Sequence, residues 1–151
     1  GPLASVKQAE AVEKQVRRSV DMGAQIMAGG TRNGAFYEPS LVTDVKEDMP
    51  LFEEEVFGPV APVIVVKNTD EAVELVNNSE FGLGVSVFTS DIKRAEKLAH
   101  EFSDGAVFIN SLVKSDPRLP FGGTKNSGYG RELSSQGIRE FVNAKTIYVN
   151  R

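Results

Sequence analysis

Glu53-Glu54-Glu55-Val56-Phe57-Gly58-Pro59-Val60 runs directly into an apolar, mostly β-branched stretch that ends at Val66. Residues 60–66 read as a strand covered on both faces, the kind that a parallel sheet buries. An acidic cluster set against such a strand is costly unless its charges face water, a cleft or a polar ligand. Downstream, Asn68-Thr69-Asp70-Glu71 opens a helix that runs to about Asn78, with side-chain capping and acids in its first turn. Residues 84–89 read as a strand. Ser90 caps a helix whose Ile92, Ala95, Leu98, Ala99 and Phe102 face the core, and residues 106–110 form the next strand.

Upstream, Ser5-Val6-Lys7-Gln8 reads as a capping box, in which the Ser hydroxyl meets the backbone three residues on and Gln reaches back. Ala9, Val12, Val16 and Val20 follow at helical spacing, Glu10/Lys14 and Glu13/Arg17 add pairs four residues apart, and Gly23 stands where the helix stops. Residues 25–28 form a short strand, and residues 36–42 extend again with an interruption at Pro39. Strands alternating with helices of about ten residues predict an α/β fold built from βαβ units around a parallel sheet. A helix at residues 135–142 and a final strand at residues 146–149 complete the chain. That last strand breaks the rhythm and has polar neighbours, Asn143, Lys145 and Asn150, so it reads as an edge or an exchanged arm that offers its backbone to another chain. The expected organisation is therefore a main portion, residues 1–142, and an oligomerisation arm, residues 143–151.

Composition narrows the function. The 151 residues carry 40% apolar and 25% charged side chains, ordinary for a globular protein with a sizeable core. The net charge of −4, from 17 basic and 21 acidic residues, lacks the Lys/Arg clustering that nucleic acid requires. No apolar stretch reaches the ~20 residues that span a bilayer, and there is no signal-peptide pattern at the start. With no cysteine, the chain holds no disulfide, thiolate metal site or cysteine nucleophile. The single histidine, His100, lies off the apolar face of its helix and reads as an exposed bystander.

The glycine-rich stretch, residues 111–130, fails both phosphate-loop patterns. After Gly123 and Gly128 the Walker lysine position is Tyr129, and after Gly128 and Gly130 the third dinucleotide glycine is replaced by Leu133. It reads as an ordered loop whose glycines allow positive φ or close backbone approach, either structural or ligand-bearing. The acidic cluster Glu47, Asp48, Glu53, Glu54 and Glu55 is either a solvated surface or, less simply, a hard-cation site, which would need calcium- or magnesium-dependent stabilisation to sustain it.

Several stretches in one order decide between these readings: Gly1-Pro2-Leu3-Ala4, Glu54 through Val60, Asn78-Ser79 with Phe81-Gly82-Leu83, Val87-Phe88-Thr89, Phe108-Ile109-Asn110, and Pro120-Phe121-Gly122-Gly123 with Lys125, Ser127-Gly128 and Gly130-Arg131-Glu132. Across nearly its whole length the chain resembles the aldehyde dehydrogenase superfamily, in the part that follows the catalytic cysteine, and is most similar to the succinate-semialdehyde branch. Gly1-Pro2 then reads as native sequence rather than a tag scar.

The resemblance implies an NAD(P)-dependent enzyme, with NAD or NADP as cofactor and an aldehyde as substrate. Glu55 corresponds to the glutamate that accepts hydrogen bonds from the nicotinamide-side ribose, a task that suits an acceptor-only carboxylate. Phe57 corresponds to the ring that packs against the nicotinamide half. Asn110 and the loop after it correspond to the substrate-tunnel wall, and Phe121 to an aromatic lining it. Ser115 matches a serine that holds the remote carboxylate of succinate semialdehyde, where a hydroxyl donor facing an anion makes physical sense; a turn serine is the plainer reading. Lys114 or Arg118 would add positive charge there. Glu132 matches a proton-relay glutamate, with a salt bridge or a cap as the alternative. The nucleophile, general base, oxyanion-hole asparagine and dinucleotide-binding half would precede residue 1. The expectation is thus a fragment, inactive alone, of a cytoplasmic homo-oligomer joined through the C-terminal strand; the alternative is a stand-alone, non-catalytic interaction module.

Overall fold

Helix formation starts at Ser5, whose extended backbone and side-chain oxygen close the first turn by accepting from the Gln8 backbone N–H at 3.1 Å. The computed structural model describes residues 1–151 and divides into two compact units, residues 1–75 and 76–151. In the first unit, α1 spans Val6–Asp21 and buries Ala9, Val12, Val16 and Ser19. Half of the expected capping box is absent, because the Gln8 side chain donates to the Phe57 carbonyl at 2.7 Å instead of turning back on Ser5. The buried stripe also ends on Ser19, fully enclosed, and not on Val20, which is 36% exposed.

After Gly23, at φ +110°, the chain enters β1 (Gln25–Ala28), a hairpin of β2 (Arg32–Asn33) and β3 (Phe36–Tyr37), and β4 (Ser40–Thr43). The interruption expected at Pro39 separates β3 from β4. α2 (Pro50–Glu53) begins with proline in its first turn, where the missing N–H has no partner to lose. β5 (Val60–Pro62) lies parallel to β4, pairing Ser40 with Val60 and Val42 with Pro62, and β1 lies antiparallel on the other side of β4.

The expected seven-residue buried strand is therefore only three residues long. Pro62 sits where its nitrogen faces the open edge, away from β4, and the ladder runs one bond further, Val63 N–H to the Val42 carbonyl at 2.8 Å. Neither is the run covered on both faces: Ala61 and Pro62 are exposed, and Val65 is 88% exposed. The core of this unit is Val12, Val16, Ala24, Tyr37, Val42, Val45, Met49 and Leu51, with Val56 and Ile64 packed on its margin.

α3 (Thr69–Asn78) leads into the second unit, with the Asn68 side chain accepting from the Glu71 N–H at 2.9 Å as the sequence predicts. β6 (Phe81–Gly82) precedes β7 (Val85–Val87), α4 (Ile92–Leu98) and β8 (Val107–Ile109). β7 and β8 pair in parallel, Val85 to Val107 and Val87 to Ile109, which makes 85–109 the expected βαβ unit. Asp91, not Ser90, caps α4, accepting from the Arg94 N–H at 3.0 Å, and Ile92 lies outside the buried face while Ala95 is enclosed. β9 (Thr124–Lys125) returns antiparallel to β6, and α5 (Ser134–Arg139) follows. The strand expected at residues 146–149 does not form, since it meets no partner within the chain, and Ile147, Tyr148 and Val149 are 81%, 83% and 70% exposed.

Ser19 ties α1 to α2: its hydroxyl accepts from the buried Leu51 N–H at 3.1 Å. Ser19→Ala leaves that donor unpaired in the core and should cost about 1–3 kcal/mol, read as a shifted urea midpoint at unchanged slope.

Candidate active-site residues

The segment after α2 alternates. Glu55 and Phe57 face outward, Phe57 at 67% exposure, while Val56 packs on the core margin. The Glu55 carboxylate makes no hydrogen bond within the chain, so both oxygens are free to accept. Glu54 behaves differently. Gln15 Nε2 donates to one of its oxygens at 3.0 Å and the Arg18 guanidinium to the other at 2.8 Å, and these partners hold its carboxyl below the usual carboxylate range. The adjacent acids Glu54 and Glu55 thus have separate fates, and no group of three His, Asp or Glu side chains gathers anywhere to hold a metal ion.

In the second unit, Asn110 ends β8 at φ +52°, a left-handed conformation that asparagine tolerates better than most residues. Its amide is doubly committed: Oδ1 accepts from the Thr89 N–H and Nδ2 donates to the Thr89 carbonyl, both at 2.8 Å. That pair extends the β7–β8 ladder by one side chain and fixes the start of the loop. Through these bonds the Asn110 side chain holds the loop that follows β8.

Ser115 follows on the exposed part of this loop, with its hydroxyl unpaired within the chain. Beyond it, Asp116 and Arg118 form a forked pair at 2.9 and 2.6 Å, and the Arg118 N–H also meets the carboxylate at 2.9 Å. This pairing holds Asp116 well below the usual carboxylate range and raises Arg118. Of the two cations flanking Ser115, Arg118 is thereby matched by a neighbour, and Lys114 is the one without an ion pair. The serine loop is pinned at its far end by the Leu119 N–H on the Asp116 carbonyl and the Ser134 N–H on the Pro117 carbonyl, at 2.9 and 3.1 Å.

Phe121 and Glu132 face each other as a doubly bonded pair, N–H to carbonyl both ways at 2.9 and 2.8 Å. They line an open cleft of about 430 Å³ with Leu83, Tyr129 and Phe141. The Glu132 side chain is exposed and forms no salt bridge, so of its expected alternatives the salt bridge is absent. The glycines here do what the loop reading predicts: a side chain on Gly123 would lie 2.5 Å from Ser127 Cβ, and Gly130 sits at φ +76°. His100 is exposed, in the turn that follows α4 and not on the helix itself.

Three further features carry no sequence motif that would reveal them. Lys125 ends α3, donating to the Asn77 and Ser79 carbonyls at 2.8 and 2.9 Å, a cation placed on the negative pole of the helix. Leu133 and Ser134 are consecutive non-glycine residues at φ +62° and +52°, a strained turn directly after Glu132. Asp104 buries an oxygen with no partner, and that burial raises its carboxyl pKa against the pull of Lys125.

With this geometry in place, the comparisons with known proteins are consistent. The aldehyde dehydrogenase family profile matches residues 1–147. The chain is 49% identical over 152 aligned residues to succinate-semialdehyde dehydrogenase [NADP(+)] 1 of Mycobacterium tuberculosis (strain ATCC 25618 / H37Rv), covering 99% of this chain and 33% of that protein. It is 49% identical over 150 residues to succinate-semialdehyde dehydrogenase [NADP(+)] of Deinococcus radiodurans, covering 97% and 31%. The crystal structure of succinic semialdehyde dehydrogenase from Streptococcus pyogenes with NADP+ superposes with a TM-score of 0.93 at 39% identity, over 99% of this chain and 34% of that one. This chain belongs to the aldehyde dehydrogenase family. It spans about a third of the length of these relatives.

Asp104→Asn isolates the buried acid. Because the folded chain holds that proton more tightly than the unfolded one, the contribution of Asp104 to stability is full below its unfolded pKa of 3.8 and is lost as pH rises through the raised folded value. The variant should match the wild type at acid pH and exceed it at pH 7, in paired urea titrations from pH 3 to 8.

Proposed function

We propose that this chain forms the C-terminal part of the catalytic domain of an NAD(P)-dependent aldehyde dehydrogenase, and that the whole enzyme oxidises succinate semialdehyde to its carboxylate. The observation that carries the reading is the outward pair Glu55 and Phe57, an unpaired carboxylate and an exposed ring on a segment whose other residues are tied down. Those side chains fit a nicotinamide nucleoside: the carboxylate takes the ribose hydroxyls as donors, and the ring supplies an apolar face. The nucleotide, when bound, supplies the hydride acceptor. The nucleophile is a cysteine outside these 151 residues, attacking the aldehyde carbon to give the thiohemiacetal.

On the substrate side, Phe121 offers an apolar lining and Asn110 holds the loop that carries Ser115. The free Ser115 hydroxyl donates to the substrate's remote carboxylate, with Lys114 as the nearby unpaired cation. The substrate assignment draws on this hydroxyl and on the relatives whose names specify succinate semialdehyde. NAD and NADP both fit Glu55 and Phe57, since neither residue concerns the adenosine ribose. Glu132 is proposed as a proton relay beside the Phe121 cleft.

Large apolar side chains left open in each unit support the partial-enzyme reading: Val65 at 88% exposure in the first, and Leu112 at 72% and Phe141 at 91% in the second, are side chains that further polypeptide would bury. Residues 143–151, as the oligomerisation arm, would pair their free backbone with a second copy. The proposed setting of the whole homo-oligomer is the cytoplasm; no helix of the chain is long and apolar enough to cross a membrane.

The 151-residue chain alone should not turn over succinate semialdehyde with NAD or NADP, and any turnover would refute the partial-enzyme reading. In the whole enzyme, Glu55→Gln should slow hydride transfer about tenfold, measured as the single-turnover rate of NAD(P)H formation. Ser115→Ala should reduce kcat/KM for succinate semialdehyde by roughly 10- to 100-fold, the usual worth of a hydrogen bond to a charged group, while sparing acetaldehyde. Equal losses on the two aldehydes would count against Ser115.

A further inference from the structure

The polar residues of α1 that face the Glu54–Gly58 segment form a register with it. Ser19 accepts from Leu51 N–H at 3.1 Å. Arg18 and Gln15 hold the Glu54 carboxylate at 2.8 and 3.0 Å, and the same Gln15 amide also donates to the Glu55 carbonyl at 3.2 Å. Gln8 donates to the Phe57 carbonyl at 2.7 Å. Between those two glutamines, Val12 packs so closely on Gly58 that a Cβ there would lie 2.7 Å from a valine methyl. Residues 8, 12, 15 and 19 are spaced four, three and four apart, which puts them on one stripe of the helix. Two turns apart on the helix, Gln8 and Gln15 reach carbonyls two residues apart on the crossing segment, Phe57 and Glu55, with Gln15 also on the Glu54 side chain.

The contacts fall on main-chain carbonyls and on Glu54, and spare the side chains of Glu55 and Phe57. The Gly58 N–H returns to the Val56 carbonyl at 2.9 Å, a tight three-residue turn centred on Phe57. The far end is fastened as well, by the Ser40 N–H on the Pro59 carbonyl at 2.8 Å. A free segment of this length could rotate and exchange its two faces; with both ends and two carbonyls fixed, it cannot. Glu54 has the same chemistry as Glu55 but spends it on α1.

We infer that Gln8, Gln15 and Arg18 are positioning residues of the cofactor site: they clamp the backbone at 54–57 so that Glu55 and Phe57 point together at the nicotinamide nucleoside. The inference rests on the proposed role of Glu55 and Phe57 and adds to it the elements that hold them. It also makes Glu54 an anchor and not a ligand.

The test uses the whole enzyme and compares Gln8→Met/Gln15→Met, which removes the donors at similar side-chain volume, with Glu55→Gln. The readouts are the NADP+ dissociation constant by titration calorimetry, the single-turnover hydride-transfer rate, KM for the aldehyde, and the thermal midpoint without nucleotide. The double variant should weaken NADP+ or slow hydride transfer about tenfold, in line with the loss of two ordinary hydrogen bonds, with aldehyde KM kept within about twofold. Gln8→Lys, which retains a donor, should recover most of the loss. An effect of Glu55→Gln with none from the double variant overturns the clamp alone. No effect from either overturns the role of Glu55 and the clamp with it. A parallel decline of nucleotide binding, aldehyde KM and thermal midpoint, without rescue by Gln8→Lys, would show a general folding role and also overturn it. Should the double variant fold poorly, Gln8→Met alone carries the comparison, because the Gln15 and Arg18 contacts remain.

Discussion

One helix face holds the first unit together. The stripe of α1 that buries Val12 and Val16 also buries Ser19 and aims Gln8 and Gln15 at the chain that crosses it. Core packing and polar fastening are therefore parts of one contact. The apolar residues draw residues 51–58 onto the helix, and the polar ones fix which carbonyl meets which amide. Gly58 lets the two backbones approach, and Val12 fills the space that any side chain there would need. Everything that follows in this unit, the turn at Phe57 and the parallel pairing of β5 on β4, starts from a segment already held at that register.

The second unit is organised differently, with few enclosed apolar residues and many side chains that replace backbone partners. Ala95 is its one fully buried apolar side chain, whereas Asn110 extends the β7–β8 ladder with its amide and Lys125 closes the end of α3. Such contacts fix geometry more than they add stability, because each replaces bonds to water. They hold a loop whose outer side chains, Ser115 among them, remain unpaired. The Asp116–Arg118 fork fits that pattern: it settles a charge locally and stiffens the turn without using Ser115.

Local sequence signals were legible where local physics decides. The Ser5 cap, the end of α1 at Gly23, the Asn68 cap, the break at Pro39 and the parallel pair around α4 all follow from rules that act within a few residues. Readings that needed a partner elsewhere did not transfer. Residues 60–66 have the composition of a doubly covered strand, yet only three residues pair, because no neighbouring element of this chain takes up the rest of the run. The final strand is absent for the same reason, and the capping box is half-built because Phe57 competes for Gln8.

The candidate residues divide in the same way. The order of motifs from Glu54 to Glu132 identified the family and named Glu55, Phe57, Asn110, Ser115, Phe121 and Glu132, since residue type at fixed spacing is written in the sequence itself. What each of them is free to do was decided only in three dimensions. Glu54 and Glu55 are identical in chemistry and adjacent in the chain, but one is spent on Arg18 and Gln15 while the other has open oxygens. Lys114 and Arg118 were interchangeable as cations until Asp116 claimed one. Asn110 engages its amide with Thr89 and so fixes the start of the loop that follows β8. The sequence by itself determined which groups this protein carries and the family they belong to; the tertiary structure decided which of them are satisfied, because hydrogen bonds depend on partners that sequence distance does not reveal.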